Sequence, residues 1–376
     1  MNSKKCVVSI IGIRPDFVRT SEILKKLDKE FNHICIRTDE YRDTLVAYAF
    51  FGDLKIRCSD YYLESTDDNT CTFYCKLFVK MNISPELIIF VGDSDVTCLA
   101  KPFKQKGYKI CHIEAGMRSH NKNMCEEHNK IICDQYSDLL FAYHYDNKKE
   151  LQKENITKNV YVVGNTVFEV VNKLFDPSKF VNDDNYDGKT DSDKLIKRKD
   201  MILVDIHREE NLNSKNRMIN IIKYLHYCYA KYNLPINILF SHKLENIINK
   251  FNLNMGIIKF TPLKRWRTYL NTCYHSLFVV SDSGTAQEEL GTLNVPVIVP
   301  RDYTERPQSY DANMSIYLNI NSTHNKTWLK TFDYIDNIHN KTLKMNLTWL
   351  GDGDTSNIII KHIQTFLDLH MTDKLA

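Results

Sequence analysis

Apolar and polar positions along this chain alternate between two rhythms from one end to the other. Short continuous apolar runs are separated by longer stretches whose apolar residues recur every three or four positions, the strand and helix signatures respectively. The runs at 6–11, 34–36, 87–91, 110–113, 139–142 and 161–163 predict strands buried on both faces, as a parallel sheet requires. Helices are predicted between them, for instance over 15–29, where Pro15 takes a favoured first helical position. Residues 182–199 are almost wholly polar and predict an exposed loop. A second series then begins, with strands at 201–205, 236–240, 257–260, 277–280 and 297–299 and helices at 214–231 and 264–273. In the last stretch, 355–369, Ile358, Ile359, His362, Ile363 and Phe366 fall at helical spacing, and this helix is expected to cross back onto the first series.

Two successive βα series predict an α/β protein of two Rossmann-like doubly wound domains facing across a cleft. The expected boundaries are 1–167 and 168–354, with a returning helix in 355–376.

Composition narrows the partners. The chain has 376 residues, ample for two domains, and 43% are hydrophobic, ample for two cores. Lys+Arg total 50 and Asp+Glu 47, a balance too even for nucleic acid or an anionic membrane as main partner. The apolar runs are too short to span a bilayer, and the N-terminus enters a strand without a signal-peptide pattern, so a cytoplasmic protein is expected. Eleven scattered cysteines without a Cys-x-x-Cys pair fit a reducing compartment. His120, Cys125, His128 and Cys133 match no familiar zinc spacing, so no metal is expected.

The chemistry-bearing residues gather at the ends of predicted strands. Ser281-Asp-Ser-Gly-Thr follows the strand at 277–280 and opens a helix, an arrangement that seats anions through free N–H groups and the helix dipole. Glu288 and Glu289 lie about a turn further on, placed for ribose hydroxyls, while Arg301 and Arg306 supply cationic forks suited to diphosphate. Gly12-Ile-Arg14 follows the first strand, and Arg19 lies a turn along the helix it opens. Asp93, Glu114 and Glu127 occupy neighbouring loops of the first domain. Taken alone, Asp93 also reads as a helix cap, Glu114 as a loop hydrogen bond and Glu127 as a dipole partner, but the three converge. His207-Arg208 follows the strand at 201–205 in the second domain.

These blocks occur in a recognisable order: Gly12-Ile-Arg-Pro-Asp, Gly92-Asp-Ser, His112-Ile-Glu-Ala-Gly-Met-Arg, Glu126-Glu-His-Asn, Gly164-Asn-Thr, His207-Arg-Glu-Glu-Asn, Asp282-Ser-Gly-Thr with Gln287-Glu-Glu, and Thr304-Glu-Arg-Pro. The chain thereby resembles the non-hydrolysing UDP-N-acetylglucosamine 2-epimerase family over nearly its whole length. The resemblance implies a glycosyltransferase-B-type fold, a homodimer, and inversion of C2 in a UDP-linked 2-acetamido sugar with no cofactor. UDP would leave and re-add through a 2-acetamidoglycal. It implies catalytic roles for Asp93, Glu114, Glu127, His207 and Arg19, and UDP contacts for Arg14, Ser283, Gly284, Thr285, Glu289 and Arg306.

Departures are informative too. Arg19 stands for the family's usual lysine, Cys125 for a proline, Lys130 for an arginine and Glu209 for the second arginine of His-Arg-Arg-Glu. Thr38-Asp-Glu-Tyr41 replaces the Thr-Gly-Gln-His of members with an allosteric substrate site. Arg19-Thr-Ser-Glu, Phe50-Phe-Gly-Asp-Leu with Asp60-Tyr-Tyr-Leu, His207-Arg-Glu-Glu-Asn-Leu-Asn-Ser and Ser281-Asp-Ser-Gly-Thr look like the branch acting on UDP-2-acetamido-2,6-dideoxy-L-hexoses. Three rivals share the same fold: a glycosyltransferase, a hydrolysing epimerase and an inactive nucleotide-sugar binding protein.

Overall fold

The computed structural model describes residues 4–38, 50–63, 70–178, 199–262, 265–321 and 325–372. Residues 182–198 of the loop predicted over 182–199, and residues 39–41 of the altered Thr-Gly-Gln-His segment, lie outside them.

The first series of strands comprises Cys6–Ile11 (β1), Asn32–Thr38 (β2), Tyr61–Leu63 (β3), Leu87–Val91 (β4), Ile110–Ile113 (β5), Leu139–Ala142 (β6) and Val160–Val162 (β7). They pair in the order β3-β2-β1-β4-β5-β6-β7, and every pairing is parallel. The second series comprises Met201–Asp205 (β8), Ile236–Phe240 (β9), Ile258–Pro262 (β10), Ser276–Ser281 (β11), Val297–Val299 (β12) and Ser315–Tyr317 (β13). Its order is β10-β9-β8-β11-β12-β13, again wholly parallel. Apolar runs become buried strands because helices cover both faces: all of β4, β5 and β6 are buried. The edge strands β3 and β13 escape the sequence pattern, since a half-exposed edge needs no continuous apolar run.

The chain divides into two compact units, one of Met1–Val170 with Leu350–Ala376 and one of Val171–Trp349. In the first, Tyr74, Phe78, Phe90 and Phe103 pack against Val8, Ile10 and Ile88. Each such fully buried aromatic or branched side chain stabilises by roughly 1.5–3 kcal/mol. The helix Thr355–Thr372 belongs to this unit and packs on the helix Arg14–Glu30 and on β7. The His362 ring stacks on Tyr161 at 3.8 Å, Lys26 Nζ donates to Ser356 Oγ at 2.7 Å, and Glu169 accepts the Ser356 N–H at 2.7 Å. In the second, Tyr224, Phe278, Trp328 and Phe332 anchor the core.

Each sheet has one place where strand order reverses. In the first, β1 lies between β2 and β4; in the second, β8 lies between β9 and β11. Chains leaving the carboxyl ends of such strand pairs turn away from each other, which opens a crevice where ligands bind.

Candidate active site

In the first unit the turns after β1, β4 and β5 meet around one side chain. Arg19, nearly wholly buried, projects from the helix Arg14–Glu30. Its Nε lies 3.1 Å from Glu114 Oε2, and its Nη1 lies 3.1 Å from Asp16 Oδ1 and 3.9 Å from Asp93 Oδ1. Lys130, fully buried on the helix Cys125–Tyr136, reaches Asp93 Oδ2 at 3.1 Å. Gly92 is necessary for this packing. Its φ is +66°, and a Cβ there would stand 2.5 Å from Arg19 Nη1.

Glu114 itself has φ +77°, a conformation that costs a non-glycine residue roughly 1–3 kcal/mol and that gathers at functional sites. A buried network holds this turn. His112 Nδ1 donates to Asp134 Oδ1 at 2.6 Å and Nε2 donates to the Gly92 carbonyl at 2.9 Å. With an acceptor at each nitrogen, the ring carries both protons. Burial works against that charge, but the partners outweigh it, with Asp134 among them, and its pKa is raised well above the ordinary histidine range. Asp134 Oδ2 also accepts the Gly116 N–H at 3.0 Å and Arg118 Nη2 at 2.7 Å. The Glu114 N–H and the Ala115 N–H both donate to the Phe141 carbonyl, at 3.1 and 3.0 Å.

Glu127 is placed differently. Its Oε2 accepts from Ser119 N–H at 2.8 Å and Ser119 Oγ at 2.9 Å, and its Oε1 accepts from His120 N–H at 3.0 Å. It therefore holds the loop beyond β5. Arg14 stacks on Phe50, with Cζ 4.5 Å from the ring centroid.

The second unit carries an anion seat. Ser283 caps the helix Gly284–Thr292, its Oγ accepting the Ala286 N–H at 3.4 Å. The first-turn N–H groups of a helix have no intrahelical acceptor and carry its positive dipole end. Arg306 lies against this turn, so that a Cβ on Gly284 would stand 2.5 Å from Arg306 Nη1. Glu288 Oε1, fully buried, pairs with Arg306 Nε at 2.9 Å and fixes the guanidinium. Glu289 Oε1 accepts Trp266 Nε1 at 2.7 Å.

After β8, the His207 and Arg208 N–H groups and Asn211 Nδ2 all donate to the buried Asp282 carboxylate, at 3.0, 3.1 and 2.9 Å. The His207 side chain is 47% exposed, with Nδ1 at 3.2 Å from both Asp205 and Asp282. Crowding at the strand end opposes its charge, but Asp205 and Asp282 outweigh this and raise its pKa to about 9. The imidazole is thus a cation at neutral pH, beside the seat that wants anions.

The structure therefore gathers Arg19, Asp93 and Glu114 in one unit, and Ser283, Gly284 and Arg306 in the other, with Thr285 in the same first helical turn. Glu127 and Arg14 also lie in the first unit, Glu127 held by the Ser119–His120 loop and Arg14 against the Phe50 ring. Two placements differ from what strand-end position suggests. Arg301, expected as a fork for diphosphate, is fully buried and pairs with Glu210 at 3.1 Å and Glu305 at 3.4 Å. Glu288, expected beside ribose, is given to Arg306. Asp16, Asp205, Asp282 and His112 were not singled out from sequence. Asp16, His112 and Asp282 stand within the motif blocks and Asp205 two residues before His207, which was their one available signal. Among the described residues no three His, Cys, Asp or Glu side chains gather as a metal set, and no helix is long and apolar enough to cross a membrane.

A model of the UDP-N-acetylglucosamine 2-epimerase family matches residues 25–364. The UDP-N-acetylglucosamine 2-epimerase of Methanococcus maripaludis is 29% identical over 377 aligned positions, covering 93% of this chain and 96% of that protein. The UDP-2,3-diacetamido-2,3-dideoxy-D-glucuronate 2-epimerase of Pseudomonas aeruginosa is 26% identical, covering 80% of this chain and 84% of that protein. In fold, the chain is similar to the crystal structure of Methanocaldococcus jannaschii UDP-GlcNAc 2-epimerase in complex with UDP-GlcNAc and UDP. The TM-score is 0.81 at 24% identity, over 96% of this chain and 99% of that one.

Proposed function

The chain belongs to the UDP-N-acetylglucosamine 2-epimerase family of carbohydrate isomerases, and from that premise we propose that it inverts C2 of a UDP-linked 2-acetamido sugar. The observation that carries the reading is the buried group in which Arg19 holds Glu114 at 3.1 Å and Asp93 at 3.9 Å, with Glu114 in a strained backbone conformation.

The chemistry asks for such groups. The C2 hydrogen of a hexose is not beside a carbonyl, so a base alone does not remove it. Departure of UDP from C1 builds oxocarbenium character and acidifies that hydrogen. Asp93 and Glu114 are the acid–base pair, one taking the proton and the other returning it to the opposite face of the 2-acetamidoglycal. Arg19 keeps both ionisable groups in register. Glu127 is the third candidate, and it takes part by exchanging a Ser119 hydrogen bond for substrate. The Gly284 and Thr285 N–H groups, Arg306 and the His207 imidazolium stabilise the departing diphosphate, with Ser283 shaping the turn and Arg14 adding a cation. Glu289 takes a ribose hydroxyl.

The sugar is a finer matter. The names of the relatives cover more than one UDP-sugar. The Arg19-Thr-Ser-Glu and His207-Arg-Glu-Glu-Asn-Leu-Asn-Ser segments support a UDP-2-acetamido-2,6-dideoxy-L-hexose beside UDP-GlcNAc and UDP-ManNAc. A homodimer is the assembly we propose, and sedimentation tests it.

Incubation with each UDP-sugar in D₂O, followed by NMR and mass spectrometry of the recovered nucleotide sugar, tests the proposal. Deuterium at C2 is the expected result, and the sugar that exchanges fastest identifies the branch. Free sugar without labelled UDP-sugar would replace the reading with hydrolysis. Transfer to an added acceptor without exchange would replace it with a glycosyltransferase.

A further inference from the structure

The His207 ring is held through its Nδ1. That nitrogen lies 3.2 Å from Asp205 Oδ1, at the end of β8, and 3.2 Å from Asp282 Oδ1, beyond β11. Both carboxylates accept from other donors as well. The Asp282 oxygens take the His207 and Arg208 N–H groups and Asn211 Nδ2. Asp205 Oδ2 takes the Ser281 hydroxyl at 3.4 Å, and Ser281 Oγ in turn accepts the Ser283 N–H at 3.1 Å. Asp205 thus joins the imidazole to the turn that opens the anion seat. Arg208 lies on the same turn as His207, and Tyr269 and Cys273, of the helix Trp266–His275, face Asp205. An ionised carboxylate accepts and does not donate, so the hydrogen between Nδ1 and these oxygens belongs to the ring. A neutral ring so held carries its one hydrogen on Nδ1 and a bare lone pair on Nε2. The side chain is half-exposed, and Nε2 is the nitrogen that is not turned to these acids.

We propose that Asp205 and Asp282 fix His207 as its Nδ1–H tautomer, so that Nε2 donates to a diphosphate only in the imidazolium and turns a lone pair towards it in the neutral ring. Asp205 is a positioning residue, acting through His207. An imidazole free to choose would keep a hydrogen on Nε2 when neutral and go on donating. Here the loss of one proton removes the charge and the donor together. Burial opposes the cation, but Asp205 and then Asp282 outweigh it, and the pKa is raised to about 9. The contact is therefore complete below the ordinary histidine range and lost as pH rises through about 9. The proposal rests on the epimerase reading only for the identity of the anion, the diphosphate of a UDP-sugar.

The test follows the ring nitrogens of nitrogen-15-labelled histidine by NMR as the protein alone is taken from about pH 7 to about pH 10. His207→Gln assigns the signal. In the wild type His207 should titrate at about 9. Above that point Nδ1 should keep its hydrogen and Nε2 should show the shift of a bare nitrogen. A neutral form with its hydrogen on Nε2 overturns the proposal. Asp205→Asn should lower the titration point, because the charge beside Nδ1 is gone while an acceptor remains; an unmoved point overturns the role given to Asp205. The tautomer is read in the wild type, so the proposal stays open to refutation should Asp205→Asn not fold. UDP affinity is then measured by calorimetry as the ratio of wild type to His207→Gln, which cancels ionisation of UDP itself. The ratio should be about fivefold at about pH 7 and fall to about one at about pH 10. A ratio that does not change with pH overturns the proposal. Neither measurement needs turnover. A protein that gives both results but exchanges no UDP-sugar at C2 sinks the epimerase reading alone, and one that exchanges while its neutral His207 keeps hydrogen on Nε2 sinks this proposal alone.

Discussion

Both sheets reverse their strand order at a corresponding point, between β1 and β4 in one and between β8 and β11 in the other, and both reversals carry charged turns. The charges are arranged to opposite ends. At the first, Asp16, Asp93 and Glu114 converge on Arg19, and Arg19 and Lys130 are sealed in among them. At the second, the acids Asp205, Asp282 and Glu288 are turned inward onto His207 and Arg306, and a helix N-terminus remains as the anion seat. Fold topology sets where a site is built, and the partner given to each buried acid sets its chemistry. An acid pinned to a buried cation orients that cation.

Substitution can separate the two regions. The largest effect is expected for Glu114→Gln, which should lower C2 exchange by about 10³-fold, within the range for a positioned acid or base. UDP affinity by calorimetry should stay within about twofold. An equal loss of both would abolish the division of labour. Next comes Gly284→Ala, whose Cβ would meet Arg306 Nη1 at 2.5 Å. It should weaken UDP binding about tenfold, the worth of one charge-assisted hydrogen bond, while leaving kcat nearly intact. Smaller still is the effect of pH on the second region. The His207 pKa is raised to about 9, so the cation is complete below its ordinary range and is lost as pH rises through about 9. Initial-rate profiles should show kcat/KM declining there, and His207→Gln should remove the inflection at a cost of about fivefold in UDP affinity. The smallest change is expected for Lys130→Arg, which keeps the positive charge on Asp93 and should alter exchange by less than about threefold.

Much of this could be read from sequence because it depends on local order. The runs at β1, β4, β5, β6, β8, β9 and β12 are mostly apolar, so their bounds could be read directly. Motif residues at the ends of those strands then fall near one another by topology alone. What depended on distant partners was hidden. Arg301 meets Glu210, and Glu288 meets Arg306, only once the second sheet has formed. Asp16 stands within the Gly-Ile-Arg-Pro-Asp motif, yet its burial and its approach to Asp93 and Glu114 follow from three separate turns converging. The short edge strands β3 and β13 were hidden for the opposite reason, since half-exposed residues leave too weak a periodic trace.

Deuterium incorporation at C2 of a recovered UDP-2-acetamido sugar tests the central claim most directly, measured for the wild type and Glu114→Gln on preparations shown to bind UDP alike. The wild type should take up solvent deuterium at C2 and Glu114→Gln should take up almost none. Exchange at the wild-type rate in Glu114→Gln, or no exchange in the wild type with any of these sugars, would contradict it.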